Sequence, residues 1–390
     1  MEYKLLSEVS VYRKDRIGSD KVNKGNYIST ENMLSNRGGV ENATTVASAK
    51  TFPAYKKGDI LLSNIRPYFK KIWYATQEGG CSNDVLVVKA GKTVDSKFLY
   101  YVLSDNNFFN YSTVTSKGTK MPRGSKNAIM KYWVPNLDLP TQKKIADILS
   151  SYDKLIKANN ERIELLEQTA QELYKEWFVR FRFPGYENAK FEDGIPEGWE
   201  RNKIQKYYNT CSGGTPSRSK PEYFENGVYP WVKTGEIKDC VIIDTEESIT
   251  QEAVNSSSAK VLSAKSVAMA MYGVNIGLLA YFDSEMTCNQ ACCVFSDKRG
   301  FSSKHYLYYY LKSIREYLLL ISFGAAQQNL SQDLIKKIKI TMPSDDIIQD
   351  FEKRIDDIYE SIRILLMQNK NLAKQRDMLL PRLMSGKLEV

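Results

Sequence analysis

The sequence predicts an α+β protein: two similar globular α/β heads separated by a long antiparallel two-helix coiled coil, an internal duplication with pseudo-twofold symmetry. Two observations carry this expectation. The first is a heptad seam that occurs twice, once near the middle of the chain and once near its end. The second is a series of matching phrases between the two halves, in the same order and at a nearly constant offset.

The first seam reads Ile145, Leu149, Tyr152, Ile156, Asn159, Ile163, Leu166, Ala170, Leu173 and Trp177, with charged residues between. The second reads Ile348, Phe351, Ile355, Ile358, Ile362, Leu365, Asn369, Leu372, Arg376 and Leu379. A seam of this kind needs a partner helix, and each supplies one for the other. Helices of about 33 residues would run roughly 50 Å. Antiparallel packing is expected because the connection after the first helix is too short for a comfortable return path. Pairing Ile145 with Leu379 would leave Asn159 and Asn369 out of register, so these polar residues are expected at solvent-facing or partner-facing ends of the seam. Arg376 points the same way, to an end of the coil that meets another protein.

The duplication is legible phrase by phrase. Tyr27-Ile28-Ser29-Thr30 matches Trp231-Val232-Lys233-Thr234 at an offset of 204, and Cys81-Ser82-Asn83 matches Cys288-Asn289-Gln290 at 207. Phe98-Leu99-Tyr100-Tyr101 matches Tyr306-Leu307-Tyr308-Tyr309 at 208, Ser116-Lys117-Gly118 matches Ser322-Phe323-Gly324 at 206, and Pro140 matches Pro343 at 203. The expected organisation is a first head over 1–140, a first long helix over 141–180, a second head over 181–342, and a second long helix with a tail over 343–390. Within the first head, Lys57-Gly58-Asp59 turns the chain into a strand at Ile60, an apolar strand-like run covers 81–88, and 98–103 reads as a helix. Pro140 is expected to end the head and Thr141 to cap the helix. The prolines and glycines of 181–199 forbid a helix, while its aromatics ask for burial.

Composition narrows the function. The formal charge is +9, and the first 140 residues hold 21 Lys+Arg against 12 Asp+Glu. That points to a polyanion, nucleic acid first. The segment 186–342 is neutral, 18 basic against 18 acidic residues, so its cations are either segregated by face or supplemented by partner subunits. Hydropathy offers no membrane span and the N-terminus no secretory signal, so the cytoplasm is the expected compartment. The six cysteines show no disulfide framework and read as thiols, and Cys288, Cys292 and Cys293 read as small buried residues rather than zinc ligands. His305 sits among tyrosines and reads as a packed or surface residue rather than a catalytic one. No nucleotide-binding glycine motif is present. Glu236-Ile237-Lys238 is half of a metal-nuclease pattern, which leaves a stand-alone nuclease as one alternative and a two-headed protein scaffold or regulator as another.

The chain resembles the specificity (S) subunit of type I restriction-modification systems. The residues that carry the likeness are Leu139-Pro140-Thr141-Gln142-Lys143-Lys144-Ile145-Ala146 at the first helix, Phe183-Pro184-Gly185-Tyr186, and Ile195-Pro196-Glu197-Gly198-Trp199. Ser212-Gly213-Gly214-Thr215-Pro216-Ser217 with Pro230-Trp231-Val232, Gln327-Gln328-Asn329-Leu330, and the ending from Leu380-Pro381-Arg382 to Leu388 complete it. The resemblance implies a non-catalytic DNA-recognition subunit whose heads each read one half of a bipartite duplex target. It implies two modification subunits carrying S-adenosylmethionine that methylate adenine N6, and, where present, motor-nuclease subunits using ATP and magnesium. The coiled coil would act as a ruler for about 12 to 15 base pairs and a docking site for the modification subunits.

For contact with DNA the candidates in the first head are Arg66, Tyr68, Lys70, Lys117, Lys120, Arg123 and Lys126, since lysine suits phosphate and arginine suits guanine. In the second head they are Thr215, Ser217, Arg218, Lys220, Tyr272, Asn275, Gln327, Gln328 and Asn329, the amides being suited to adenine.

Overall fold

The computed structural model describes residues 2–323, 329–385 and 388. The chain divides into two compact units, one formed by 1–157 with 370–390 and the other by 158–369. The two long helices, Leu139–Tyr174 and Asp345–Met384, each contribute to both.

In the first unit an antiparallel sheet runs Ser10–Tyr12, Val85–Ala90, Ile60–Ser63, Ile72–Tyr74 across its width. A second sheet runs Arg16–Gly18, Thr51–Tyr55, Gly79–Cys81, Tyr27–Ile28, and its last pair is parallel. The predicted strand over 81–88 is thus two strands belonging to different sheets. Residues 82–84 turn between them, with Ser82 Oγ accepting the Asp84 N–H at 3.3 Å. Helix Ser96–Ser104 is capped by Asp95, which accepts from the amides of Lys97 and Phe98. Its apolar face joins Ile60, Leu62, Val88, Ile145 and Leu149 in one core.

The second unit repeats the plan. Its main sheet runs Tyr208–Ser212, Cys292–Asp297, Val267–Ala270, Leu279–Phe282, Cys240–Ile242. A smaller sheet pairs Tyr229–Val232 in parallel with Thr287–Cys288, as Tyr27–Ile28 pairs with Gly79–Cys81. Gly213 lies so close to this sheet that a Cβ would sit 1.8 Å from the Cys288 carbonyl oxygen, which reserves the position for glycine. Phe183 and Trp199 are buried, as their place in the 181–199 connection required. Cys81, Cys288, Cys292 and Cys293 are buried free thiols.

The long helices are antiparallel within each unit. In the first, Ile145 and Leu149 share a core with Leu380 and Leu383, and Arg376 meets Asp153 at 2.5 Å. Arg376 is therefore held by an internal ion pair rather than left for a partner protein. In the second unit Ile163 packs with Ile362 and Leu365, and Trp177 packs on Phe351 with ring centroids 5.7 Å apart. Every seam residue predicted from the heptads, from Ile145, Leu149, Tyr152, Ile156, Ile163, Leu166 and Leu173 to Ile348, Phe351, Ile355, Ile358, Ile362, Leu365, Leu372 and Leu379, is buried or half-buried.

Two expectations are corrected here. Asn159 and Asn369 do face each other: Asn159 Nδ2 donates to Asn369 Oδ1 at 2.9 Å, and Asn369 Nδ2 donates to Asn160 Oδ1 at 2.8 Å. The register puts Ile145 against residues beyond Leu379, which brings the two amides together, and a paired amide layer disfavours slipped registers. The first helix also begins earlier than expected. Asp138 caps it by accepting the Thr141 N–H at 2.7 Å, and Pro140 fits in the first turn because an amide there needs no intrahelical partner. At its other end the helix closes through a π turn, Lys175–Val179.

His305 is fully buried between Tyr281 and Tyr359, with Nε2 3.0 Å from Asp356 Oδ1. Burial lowers its pKa from 6.5 to about 4, so it is a neutral core residue. Glu352, also buried, accepts the Tyr306 N–H at 2.8 Å, and burial pushes its pKa from 4.5 up to about 8. The two groups act oppositely on stability. His305 binds its proton more weakly folded than unfolded, so its penalty is full below pH 4 and gone above 6.5. Glu352 holds its proton more tightly folded, so its contribution is full below pH 4.5 and lost as pH rises through 8. Between pH 6.5 and 8 the Glu352 effect stands alone of the two. Stability should fall across that window, and Glu352→Gln, which retains an acceptor for the Tyr306 amide, should flatten the fall in melting temperature.

No helix among the described residues is long and apolar enough to cross a membrane.

Candidate nucleic-acid interface

The first head gathers most of its candidates at one place, the junction of two loops. Residues 64–71 leave the strand Ile60–Ser63 and make a single turn of 3-10 helix, Pro67–Phe69. Arg66 and Lys70 flank it with φ of 49° and 53°. The Gly-rich basic loop after helix Asn106–Val114 folds back on it. Arg123 N–H donates to the Lys117 carbonyl at 2.8 Å, Arg66 N–H to Pro122 at 2.8 Å, and Gly124 N–H to Asn64 at 2.9 Å. These backbone bonds bring Arg66, Lys117 and Arg123 together although they are far apart in sequence.

Their side chains differ in freedom. Lys117, Lys120 and Lys126 are exposed and have no acid in salt-bridge reach among the described residues. Arg123 is exposed and 3.3 Å from Asp84, a contact weak enough in water to exchange for a phosphate. Lys70 donates to Asn106 Oδ1 at 2.9 Å. Arg66 is half-buried, with its Nε lacking a hydrogen-bond partner. Tyr68 stands 45% exposed beside Phe69. Lys126 also lines a hollow of about 540 Å³ with Tyr12, Lys14, Arg16 and Asn83. Exposed lysines around a hydrogen-bonded backbone are chemically suited to phosphate.

The second head divides its candidates. Thr215 hydrogen-bonds to Gln290, and Ser217 pairs with Ser219 at 2.7 Å. Arg218 makes a two-pronged ion pair with Glu247, at 2.7 and 2.8 Å, and lies over Phe224 and Trp231. The Arg218 hydrogen bonds come first in holding the Glu247 pKa down to about 2. Lys220 donates to the Tyr223 hydroxyl at 2.9 Å. Tyr272 packs against the core. The Asn275 amide is used within the loop, donating to the Thr234 and Ile237 carbonyls at 2.9 and 3.0 Å. Asn329 is half-buried, and Gln327 and Gln328 lie outside the described residues.

What the sequence reading missed is a polar hollow of about 560 Å³ in this head, lined by Lys203, Lys206, Lys298 and Lys336 with Asn202, Asn209 and Thr210. These lysines are spread over more than 130 positions of a neutral segment, so only folding gathers them. The cations of the second head are thus partly segregated by face.

Glu236, the acid of the nuclease pattern, is engaged within its own loop. Its two carboxylate oxygens accept the amides of Lys233 and Glu246 at 2.8 and 2.9 Å, which makes it a loop clasp. Among the described residues no cluster of His, Cys, Asp or Glu is placed to hold a metal ion.

Comparison with known proteins agrees with this geometry. The pattern of the type I restriction modification DNA specificity domain matches residues 2–168 and again 196–374. The HindI type I restriction enzyme specificity subunit of Haemophilus influenzae is 27% identical over 86% of this chain and 87% of its own length. The MjaIX specificity subunit of Methanocaldococcus jannaschii is 28% identical over 90% of this chain and 81% of its own. Among solved structures, the type I S subunit from M. genitalium shares the fold with a TM-score of 0.56 at 15% identity, covering 98% of this chain and 95% of that one. With the family pattern present once in each half, over a head and most of the long helix that follows it, the chain belongs to the type I restriction-modification DNA specificity family.

Proposed function

We propose that this chain is the DNA-recognition subunit of a type I restriction-modification complex in which each head reads one half of a bipartite duplex target. The observation that carries the reading is that the family pattern falls once on each half, and that in each head the residue after the third main-sheet strand, Asn64 or Met271, accepts an amide from the segment that follows the second head helix, Gly124 or Leu330. As a specificity subunit it is the non-catalytic component of its system. The paired long helices set the gap between the half-sites and dock two modification subunits. Those partners carry S-adenosylmethionine and methylate adenine N6; motor-nuclease subunits, where present, bring ATP- and magnesium-dependent cleavage. Assembly takes place in the cytoplasm, where the DNA is.

The test is reconstitution. Modification subunits with S-adenosylmethionine should methylate duplex DNA at a defined motif only when this chain is added. Methylation at the same motif without it would refute the assignment.

A further inference from the structure

The turn at 66–70 has a counterpart in the second head that neither composition nor motif reveals. Gly273 and Gly277 have φ of 87° and 76°, and they stand at the same 207-residue offset from Arg66 and Lys70, whose φ values are also positive. Two anchoring bonds of the first turn recur in the second. Asn64 N–H donates to Asp84 and its carbonyl accepts from Gly124, at 2.8 and 2.9 Å; Met271 N–H donates to Ala291 and its carbonyl accepts from Leu330, both at 2.8 Å. Each turn then closes on itself, Phe69 N–H to the Arg66 carbonyl at 2.9 Å and Ile276 N–H to the Gly273 carbonyl at 3.3 Å.

The two turns share a backbone and differ in what they hold out. The first presents Tyr68, 45% exposed, and the second Val274, 98% exposed and one position earlier in its turn, since at the 207 offset Tyr68 aligns with Asn275, whose amide is used within the loop. An apolar side chain fixed at the tip of a braced turn gains nothing from water. In the first head the backbone is held left-handed at two residues that carry side chains, a conformation with a free-energy cost. Cations flank the turn of the first head: the Arg66 guanidinium and the Lys71 ammonium, which also donates to the Thr30 carbonyl at 2.7 Å, each lie 5.9 Å from the Phe69 ring, and Lys117 is on the adjoining loop. A rigid tip flanked by cations is complementary to bases inside a phosphate-lined groove.

We propose that these turns are the base-probing fingers of the two heads, with Tyr68 in the first and Val274 in the second making apolar contact with base edges. This rests on the reading of the heads as DNA-recognition units. In the first head the exposed lysines of the adjoining loop, Lys117 and Lys120, hold phosphates, and in each head the tip residue discriminates. Because the backbone is common and the tip is not, the two heads can read different half-sites with one device.

The experiment measures methylation by the reconstituted complex on its target duplex and on all single-base variants of both half-sites. Tyr68→Ala should cut discrimination about 5- to 100-fold at one or two positions of one half-site, and Tyr68→Phe should retain it. Val274→Ser should act on the other half-site alone. Neither should change the salt dependence of binding, whereas Lys120→Ala should weaken binding to all sequences alike. Unchanged discrimination in both variants, with the parent complex still selective, would overturn the finger assignment alone. A uniform loss with an altered salt slope would also overturn it. A parent complex with no bipartite preference would overturn the reading of the heads themselves.

Discussion

Removing residues 160–166 and 362–368, one heptad from each long helix, is expected to shorten the preferred gap between half-sites by about three base pairs. Seven helical residues rise about 10 Å, and each base pair of B-DNA advances about 3.4 Å. The two segments face each other: Ile163, Ile362 and Leu365 belong to one apolar cluster, so both sides of the seam shorten together. The Asn159–Asn369 pair on one side and the Trp177–Phe351 contact on the other remain to hold register. Total activity should fall as well, because three base pairs also rotate the half-site by nearly a third of a DNA turn. Methylation of a duplex library with every spacer length reads both effects. A preferred spacer that does not move would show that the helices do not measure the gap.

Phe351→Ala is expected to cost the second unit about 3–5 kcal/mol. The ring is fully buried, and its centroid lies 4.8 Å from that of Phe178 and 5.7 Å from that of Trp177. Its neighbours come from the end of the first long helix, so they cannot close the cavity without bending that helix. A urea titration followed by tryptophan fluorescence, which includes Trp177 itself, should show a much lower midpoint. A change below about 1 kcal/mol would mean that the ring does not join helix to head as its contacts indicate, since even modest core truncations cost that much.

The two kinds of element were unequally legible in the sequence. The long helices announce themselves because a seven-residue apolar period persists over many turns, and burial follows that period closely. Their register did not announce itself. It depends on which apolar layers interlock, and nothing in either seam says whether its Asn ends the coil or pairs across it. Asp138 is a less obvious cap than Thr141 because Pro140 lies between them, although proline is at home in a first turn. The head strands are mostly two to six residues long. They pair with strands far away in sequence, so their assignment to two sheets rests on tertiary contacts that local pattern does not encode.

At the candidate interface, the polar groups named from the sequence stay more open to solvent in the first head than in the second. Lysines in a Gly-rich loop remained exposed. Arg218, Lys220 and Asn275 instead spend their polar groups within the fold, on Glu247, Tyr223 and two backbone carbonyls. Nothing in the sequence distinguishes an amide offered to a base from one that pins a loop. Val274 lies in a glycine-rich stretch with no motif. The signal that finds it is the duplication itself, since the 207 offset that aligns Cys81 with Cys288 also aligns Arg66 with Gly273.

The central claim, that two heads read two half-sites for a modification partner, is tested most directly by single-molecule sequencing of N6-methyladenine in a host with and without this gene. The account predicts that one split motif, two short half-sites at a fixed gap, disappears on deletion and returns on complementation. Unchanged methylation in a host whose modification subunit is active would contradict it.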